Sequence, residues 1–190
     1  MNEFISFLNK VSKLSDETNL DLERSIEKMD FDRQEKILES GKTCNHIYFL
    51  KKGLVRIFYL KDGKDITEHF ATEKNLFGSI DSLVNRKKSE LSIETLEKCE
   101  VYRLSHSNLE NLYENHHDFE KVGRLLSLKA FLTIQERLFS IQFHTATQRY
   151  ENLVNNHPEI IKRASLGNIA SYLGITQVSL SRIRSKQSII

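Results

Sequence analysis

A chain of 190 residues is long enough for one large or two small domains with a sizeable core, so it needs no covalent or metal staples to fold. Cys44 and Cys99 lie far apart and in no metal-like spacing, which argues against a secreted disulfide framework and leaves no four-cysteine set for an iron–sulfur centre. Net charge is only +2, yet from Lys121 onward ten Lys or Arg face three Asp or Glu, while the first 120 residues hold 18 basic and 23 acidic groups. Positive potential therefore gathers on the C-terminal part, where a polyanion would dock.

The opening residues Met1–Asn9 lack a basic lead and a long apolar run, and no stretch approaches the length of a membrane span, so a cytoplasmic protein with no membrane partner is expected. From Phe4 to Met29 the apolar residues Phe4, Leu8, Val11, Leu20, Leu22 and Ile26 recur at helical spacing, giving short helices with a polar break around Ser15 to Thr18. The pattern then changes to short aromatic and β-branched runs. Lys36–Leu38, Ile47–Leu50, Leu54–Tyr59, Ile66–Phe70, Leu91–Glu94 and Val101–Leu104 read as strands. Turn chemistry at Ser40-Gly41, Lys52-Gly53, Asp62-Gly63 and Phe77-Gly78 connects them, so an antiparallel roll or barrel is expected. After Ser105 the helical period returns. Residues 118–142 read as one long helix whose apolar residues cover more than one face; one stripe, for instance Val122, Leu125, Leu132 and Phe139, suits a partner helix from a second subunit. A polar hinge is expected over Phe143 to Thr147, then helix from Arg149 to Asn155, closed by His157-Pro158. The domains are thus 1–117, helices and roll; 118–142, the central helix; and 143–190, a terminal unit.

The terminal unit carries the most specific pattern. Ser165 can cap a helix in which Ile169 and Leu173 share a face with small Ala170; Gly174 stops it, and Ile175 folds back at the corner. Thr176 can cap a second helix that buries Leu180 and Ile183. This reads as a DNA-binding helix-turn-helix, against the alternative of a helical hairpin packed on its own domain. The exposed set Thr176, Gln177, Val178, Ser179, Ser181 and Arg182 offers donors, acceptors and a small apolar group suited to base edges, with Arg184 and Lys186 added as DNA-contacting cations.

Gly53 after a strand pair, Gly78 in a loop, Cys99-Glu100-Val101 leading a late strand, and Ala170–Ile175 with Leu180-Ser181-Arg182 occur in an order that resembles the Crp/Fnr family of bacterial transcription regulators over essentially the whole chain. The resemblance implies an α+β fold: an antiparallel, cyclic-nucleotide-binding-like β-roll, a long dimerisation helix and a winged or wing-reduced helix-turn-helix. It implies a homodimer on a pseudo-palindromic double-stranded operator, RNA polymerase as a partner, and an unidentified small-molecule effector at the roll. The family's base-reading positions fall on Gln177, Val178 and Arg182. Only Arg182 keeps the usual residue, so the operator should differ. The ligand pocket maps to Gly78, Ser79, Ser89 and Glu90. Where nucleotide-responsive members have a ribose-binding Glu this chain has Ser79, and their phosphate-holding Arg-Ser pair falls at Ser89-Glu90. Cyclic AMP is therefore not expected to bind unless Arg86, Lys87 or Lys88 serves the phosphate instead.

No Gly-rich phosphate loop, nucleophile elbow or HExxH pattern occurs, and no catalytic residue, metal or cofactor is expected. His46, His69, His106 and His116-His117 have no supporting ligands at metal spacing, Glu68-His69 being a weak hint. Two rivals remain: a constitutively competent DNA-binding dimer whose roll is only a scaffold, and a cupin-like enzyme with a DNA-binding tail.

Overall fold

Two side-chain caps begin the chain. Asn2 Oδ1 accepts the Ile5 N–H at 2.9 Å and Ser15 Oγ the Thr18 N–H at 3.1 Å, satisfying donors that a helix start leaves unpaired. In the computed structural model, which describes residues 2–187, these caps open α1 (Glu3–Val11) and α2 (Asp16–Ser25). Residues Ile26 to Met29, expected to continue the helix, instead enter strand β1 (Ile26–Phe31). The reason is long-range pairing: Ile26 to Phe31 lie antiparallel to Leu104 to Cys99, a ladder that overrides local spacing.

The remaining strands are β2 (Lys36–Leu38), β3 (His46–Lys52), β4 (Val55–Lys61), β5 (Lys64–Ala71), β6 (Leu76–Phe77), β7 (Ser92–Thr95) and β8 (Cys99–Ser105). They form two four-stranded antiparallel sheets, ordered β1-β8-β3-β6 and β2-β7-β4-β5. The β4–β5 hairpin turns at Asp62-Gly63, both at positive φ, as the dipeptide implies. The expected strands all form. Besides β1, the roll contains two elements that were not foreseen, the two-residue β6 and a short helix α3 (Ile80–Asn85).

Apolar side chains gather in three clusters. One lies between the sheets, with Leu50, Val55, Ile57, Ile93, Cys99 and Val101. A second packs α1 and α2 with α4 (His106–Asn115) and the start of α5 (His117–Phe143) over the first sheet, around Phe49, Leu104 and Leu112. Asp118 fixes this junction by accepting from Ser15 N at 2.7 Å and Thr18 Oγ1 at 2.8 Å. The third joins the C-terminal helices α6 (Ala146–Asn156), α7 (Pro158–Arg163), α8 (Leu166–Leu173) and α9 (Gln177–Gln187) to Leu54 and Phe70 of the roll.

The hinge expected over Phe143 to Thr147 shrinks to His144 and Thr145. Thr145 and Gln148 form a reciprocal capping box that starts α6 at once. His157 ends α6, but Pro158 then serves as the first residue of α7, where its missing N–H costs nothing. No strand precedes α8 after the roll, or follows α9, among the described residues; a wing after Gln187 falls outside them.

Candidate nucleic-acid interface

Ser165 Oγ caps α8 through the Asn168 N–H at 3.1 Å, and Gly174 ends it at φ 67°, a left-handed conformation that a side chain would strain. Ile175 N–H then reaches back to the Ala170 carbonyl at 3.0 Å, the closing bond of a Schellman turn. Thr176 Oγ1 caps α9 through Ser179 N–H at 3.1 Å and also bonds Ser179 Oγ at 2.9 Å. Leu180 is fully buried and Ile183 half-buried. Thr176, Gln177, Val178, Ser181, Arg182, Arg184 and Lys186 are exposed, with Ser179 intermediate. Apart from Ser179, the sequence-derived set is thus solvent-exposed on α9 and the cap before it, spread round the sides away from Leu180 and Ile183, with Val178 61% exposed. Gln177 leans back over α8: its Nε2 lies where a Cβ on Gly167 would come within 2.9 Å.

What holds this pair in place was not foreseen. Arg137 of α5 donates to the Tyr172 carbonyl at 2.9 Å and stacks 3.8 Å over the Tyr172 ring. Arg149 of α6 donates to the Leu173 carbonyl at 3.0 and 3.3 Å. Two guanidiniums therefore take up carbonyls that the end of α8 leaves without helical partners. Ser171 Oγ accepts Thr67 N–H and donates to the Asp65 carbonyl, both at 2.8 Å, pinning α8 to strand β5. Positions 137, 149 and 171 carry no local signal of these contacts, since each partner lies 24 or more residues away.

In the roll, the four pocket positions separate. Ser89 Oγ donates to Ser79 Oγ at 2.8 Å and accepts Leu91 N–H at 3.0 Å, and both serines are buried. Glu90 is exposed. Ser89 and Glu90, with Ser40, Gly41, Tyr59, Leu60 and Lys88, line an open depression of about 500 Å³, to which Gly78 and Ser79 do not contribute. Two of the three alternative phosphate partners are engaged elsewhere. Arg86 donates to the Cys44 and Leu83 carbonyls and to Asn45 Oδ1, and Lys87 pairs with Asp81 at 2.7 Å.

Along α5 the expected stripe divides. Val122 is fully buried against the α1–α4 cluster of its own chain, because the N-terminal turns of α5 lie on the roll, so it is not part of an outward seam. Leu125 is half-buried, whereas Leu132 and Phe139 are exposed in a run with Leu128, Phe131, Ile134, Leu138, Ile141 and Phe143. Glu68 and His69 stand exposed on β5, and among the described residues no three His, Cys, Asp or Glu side chains gather as a metal site. No described helix is long and apolar enough to cross a membrane.

Residues 28–116 match the cyclic nucleotide-binding domain. No curated protein matches the sequence. Among solved structures, FixK2 from Bradyrhizobium japonicum superposes with a TM-score of 0.70 at 19% identity, covering 86% of this chain and 85% of that one. CLP, the c-di-GMP-responsive global regulator of Xanthomonas campestris, gives 0.66 at 14%, covering 92% of each chain. A Crp/Fnr-family protein from Eubacterium rectale gives 0.76 at 13%, covering 99% of this chain and 88% of its own. Residues 28–116 are a cyclic nucleotide-binding-type domain, set in a chain that has the fold of the Crp/Fnr transcriptional regulators.

Proposed function

We propose that the chain is a cytoplasmic, homodimeric, sequence-specific DNA-binding transcription regulator of the Crp/Fnr type. Residues 1–117 act as the sensor unit, 118–142 as the dimerisation helix and 143–190 as the DNA-binding unit, with RNA polymerase as a further partner. The observation that carries the reading is the exposed surface of α9: Val178, Ser181 and Arg182 are open to solvent, with Gln177 exposed at its start, on a helix whose partner α8 is anchored at Ser171, Tyr172 and Leu173. Arg182 would take guanine, Gln177 adenine and Val178 a thymine methyl, while Arg184 and Lys186 would meet phosphates. Two such helices related by a two-fold would read half-sites about 34 Å apart. Exposed apolar side chains on α5 supply a seam for that two-fold.

Regulation by an unidentified signal at the roll, other than cyclic AMP, completes this reading. The mutual bond of Ser79 and Ser89 favours one alternative, a constitutively competent dimer whose roll is a scaffold, because the two hydroxyls at the expected ligand positions already hold each other.

Selection of duplexes from a random pool by the purified protein, followed by titration of variants, tests the function. Arg182→Ala should weaken binding to the enriched sequence by about 1 to 3 kcal/mol and relax one base position per half-site. Lys186→Ala should weaken enriched and random duplexes alike and flatten the salt dependence. Equal losses on both duplexes for Arg182→Ala would remove its base-reading role, and no enrichment by the wild type would remove the function.

A further inference from the structure

A charge cluster joins α7 directly to the roll. Arg163 Nη2 lies 2.8 Å from Glu73 Oε1 and 2.6 Å from Glu97 Oε1, while Nη1 meets Glu73 Oε2 at 3.0 Å and Nε meets Glu97 Oε2 at 3.2 Å. One guanidinium thus engages both oxygens of two carboxylates, the fork geometry that suits Arg and not Lys. These carboxylates are rooted at one spot in the roll. Glu73 Oε1 also accepts the Gly53 N–H at 2.9 Å. Gly53, at φ 117°, presses on Cys99 so closely that a Cβ would lie 2.4 Å from the thiol sulfur, and Cys99 Sγ in turn donates to the Glu97 carbonyl at 3.3 Å.

This spot is where the two sheets meet: β4 of one begins just after Gly53, and β8 of the other begins at Cys99. Glu73 stands in the connection from β5 to β6 and Glu97 in that from β7 to β8, so both carboxylates sit on links that cross from the second sheet to the first, and a rigid planar fork ties these two links together at one separation. Without the cation, the two carboxylates would repel.

We propose that Glu73, Glu97 and Arg163 form a coupling clamp through which the packing of the two sheets sets the orientation of the terminal helices, making Arg163 a positioning residue for DNA binding. The orienting role stands on geometry alone; its effect on DNA rests on the function proposed above. Leu54 and Phe70 keep the helices attached to the roll by apolar contact, so loss of the clamp reorients the terminal unit without detaching it.

Spin labels at Glu17 of α2 and Ser185 of α9, both exposed, report the orientation in labelled protein diluted into unlabelled protein. The buried Cys44 and Cys99 escape labelling in the folded protein. Arg163→Ala should shift or broaden the label distance, and weaken binding to the enriched duplex roughly tenfold, within the usual range of coupling between sites. Its salt slope should be unchanged, since Arg163 would not touch phosphate. Glu73→Gln, which keeps the acceptor for Gly53 N–H and removes one charge, should move both readouts in the same direction by less, and stands in if Arg163→Ala does not fold. Unchanged label distances in both variants would overturn the clamp. A flattened salt slope would make Arg163 a DNA contact instead of a positioning residue. Shifted distances in a protein that enriches no duplex would uphold the orienting role while removing the DNA-binding function.

Discussion

Leu132→Glu is the sharpest perturbation of the proposed dimer. Leu132 sits between Leu125 and Phe139 at seven-residue intervals on α5 and is 57% exposed in the single chain. Full burial of a Leu side chain is worth about 1.5 to 3 kcal/mol, so covering the exposed part contributes about 1 to 1.5 kcal/mol per copy, and a two-fold counts it twice. Replacing it by Glu removes roughly 2 to 3 kcal/mol. It also places two carboxylates near the axis, where leaving charge buried and unpaired costs about 3 kcal/mol more. The total of about 5 to 6 kcal/mol corresponds to roughly a ten-thousandfold rise in the dimer dissociation constant. Ile134→Glu is the matched control: Ile134 is 66% exposed, but two residues further on it lies about 200° round the helix from Leu132 and off the seam. Sedimentation equilibrium should show Leu132→Glu monomeric and Ile134→Glu dimeric at micromolar concentration. If both variants behave alike, or the wild type is itself a monomer, the seam is misplaced.

Cyclic AMP and cyclic GMP should give no heat in calorimetric titration, because Ser79 and Ser89 satisfy each other, Arg86 is held by the Cys44 and Leu83 carbonyls, and Glu90 would repel a phosphate. Micromolar binding abolished by Arg86→Ala would show that the loop opens to release this cation. Acid should loosen the attachment of the terminal helices. Burial raises the Glu73 carboxyl, but the Arg163 fork and the Gly53 N–H outweigh it and pull the group down to about 2 from an ordinary 4.5. A carboxyl depressed in the folded state contributes stability that is complete above the ordinary value and fades as pH falls from there toward 2. The label distance between positions 17 and 185 should therefore broaden over that range in the wild type and change less in Glu73→Gln; identical acid profiles would show that other groups control the loosening.

The roll was legible because its strands are punctuated by turns with few alternatives, Asp62-Gly63 above all, and the turn between α8 and α9 because Gly174, Ile175 and Thr176 each have one local job. Residues 26 to 29 misled because four residues cannot separate the last turn of a helix from the first half of a strand, and only pairing with β8 decides. Val122 misled for a related reason. A helix apolar on several faces does not say which face its own chain covers, and α5 changes from buried to exposed about midway along its length. The exposed surface of α9 was read residue by residue, yet its anchors were invisible: Arg163 meets partners 66 and 90 residues away in the chain.

The pair of hydrogen bonds between Ser171 and β5 has a consequence for solubility. Strand β5 lies at the rim of its sheet, and such a rim offers unpaired N–H and C=O groups on which a strand from another molecule can add. Ser171 occupies the Thr67 N–H and the Asp65 carbonyl, and α8 lies along the strand, so the terminal unit shields the rim as a cover would. A shortened chain ending at Phe143 would uncover that rim together with Leu54 and Phe70, and would self-associate by strand addition however well its roll folded.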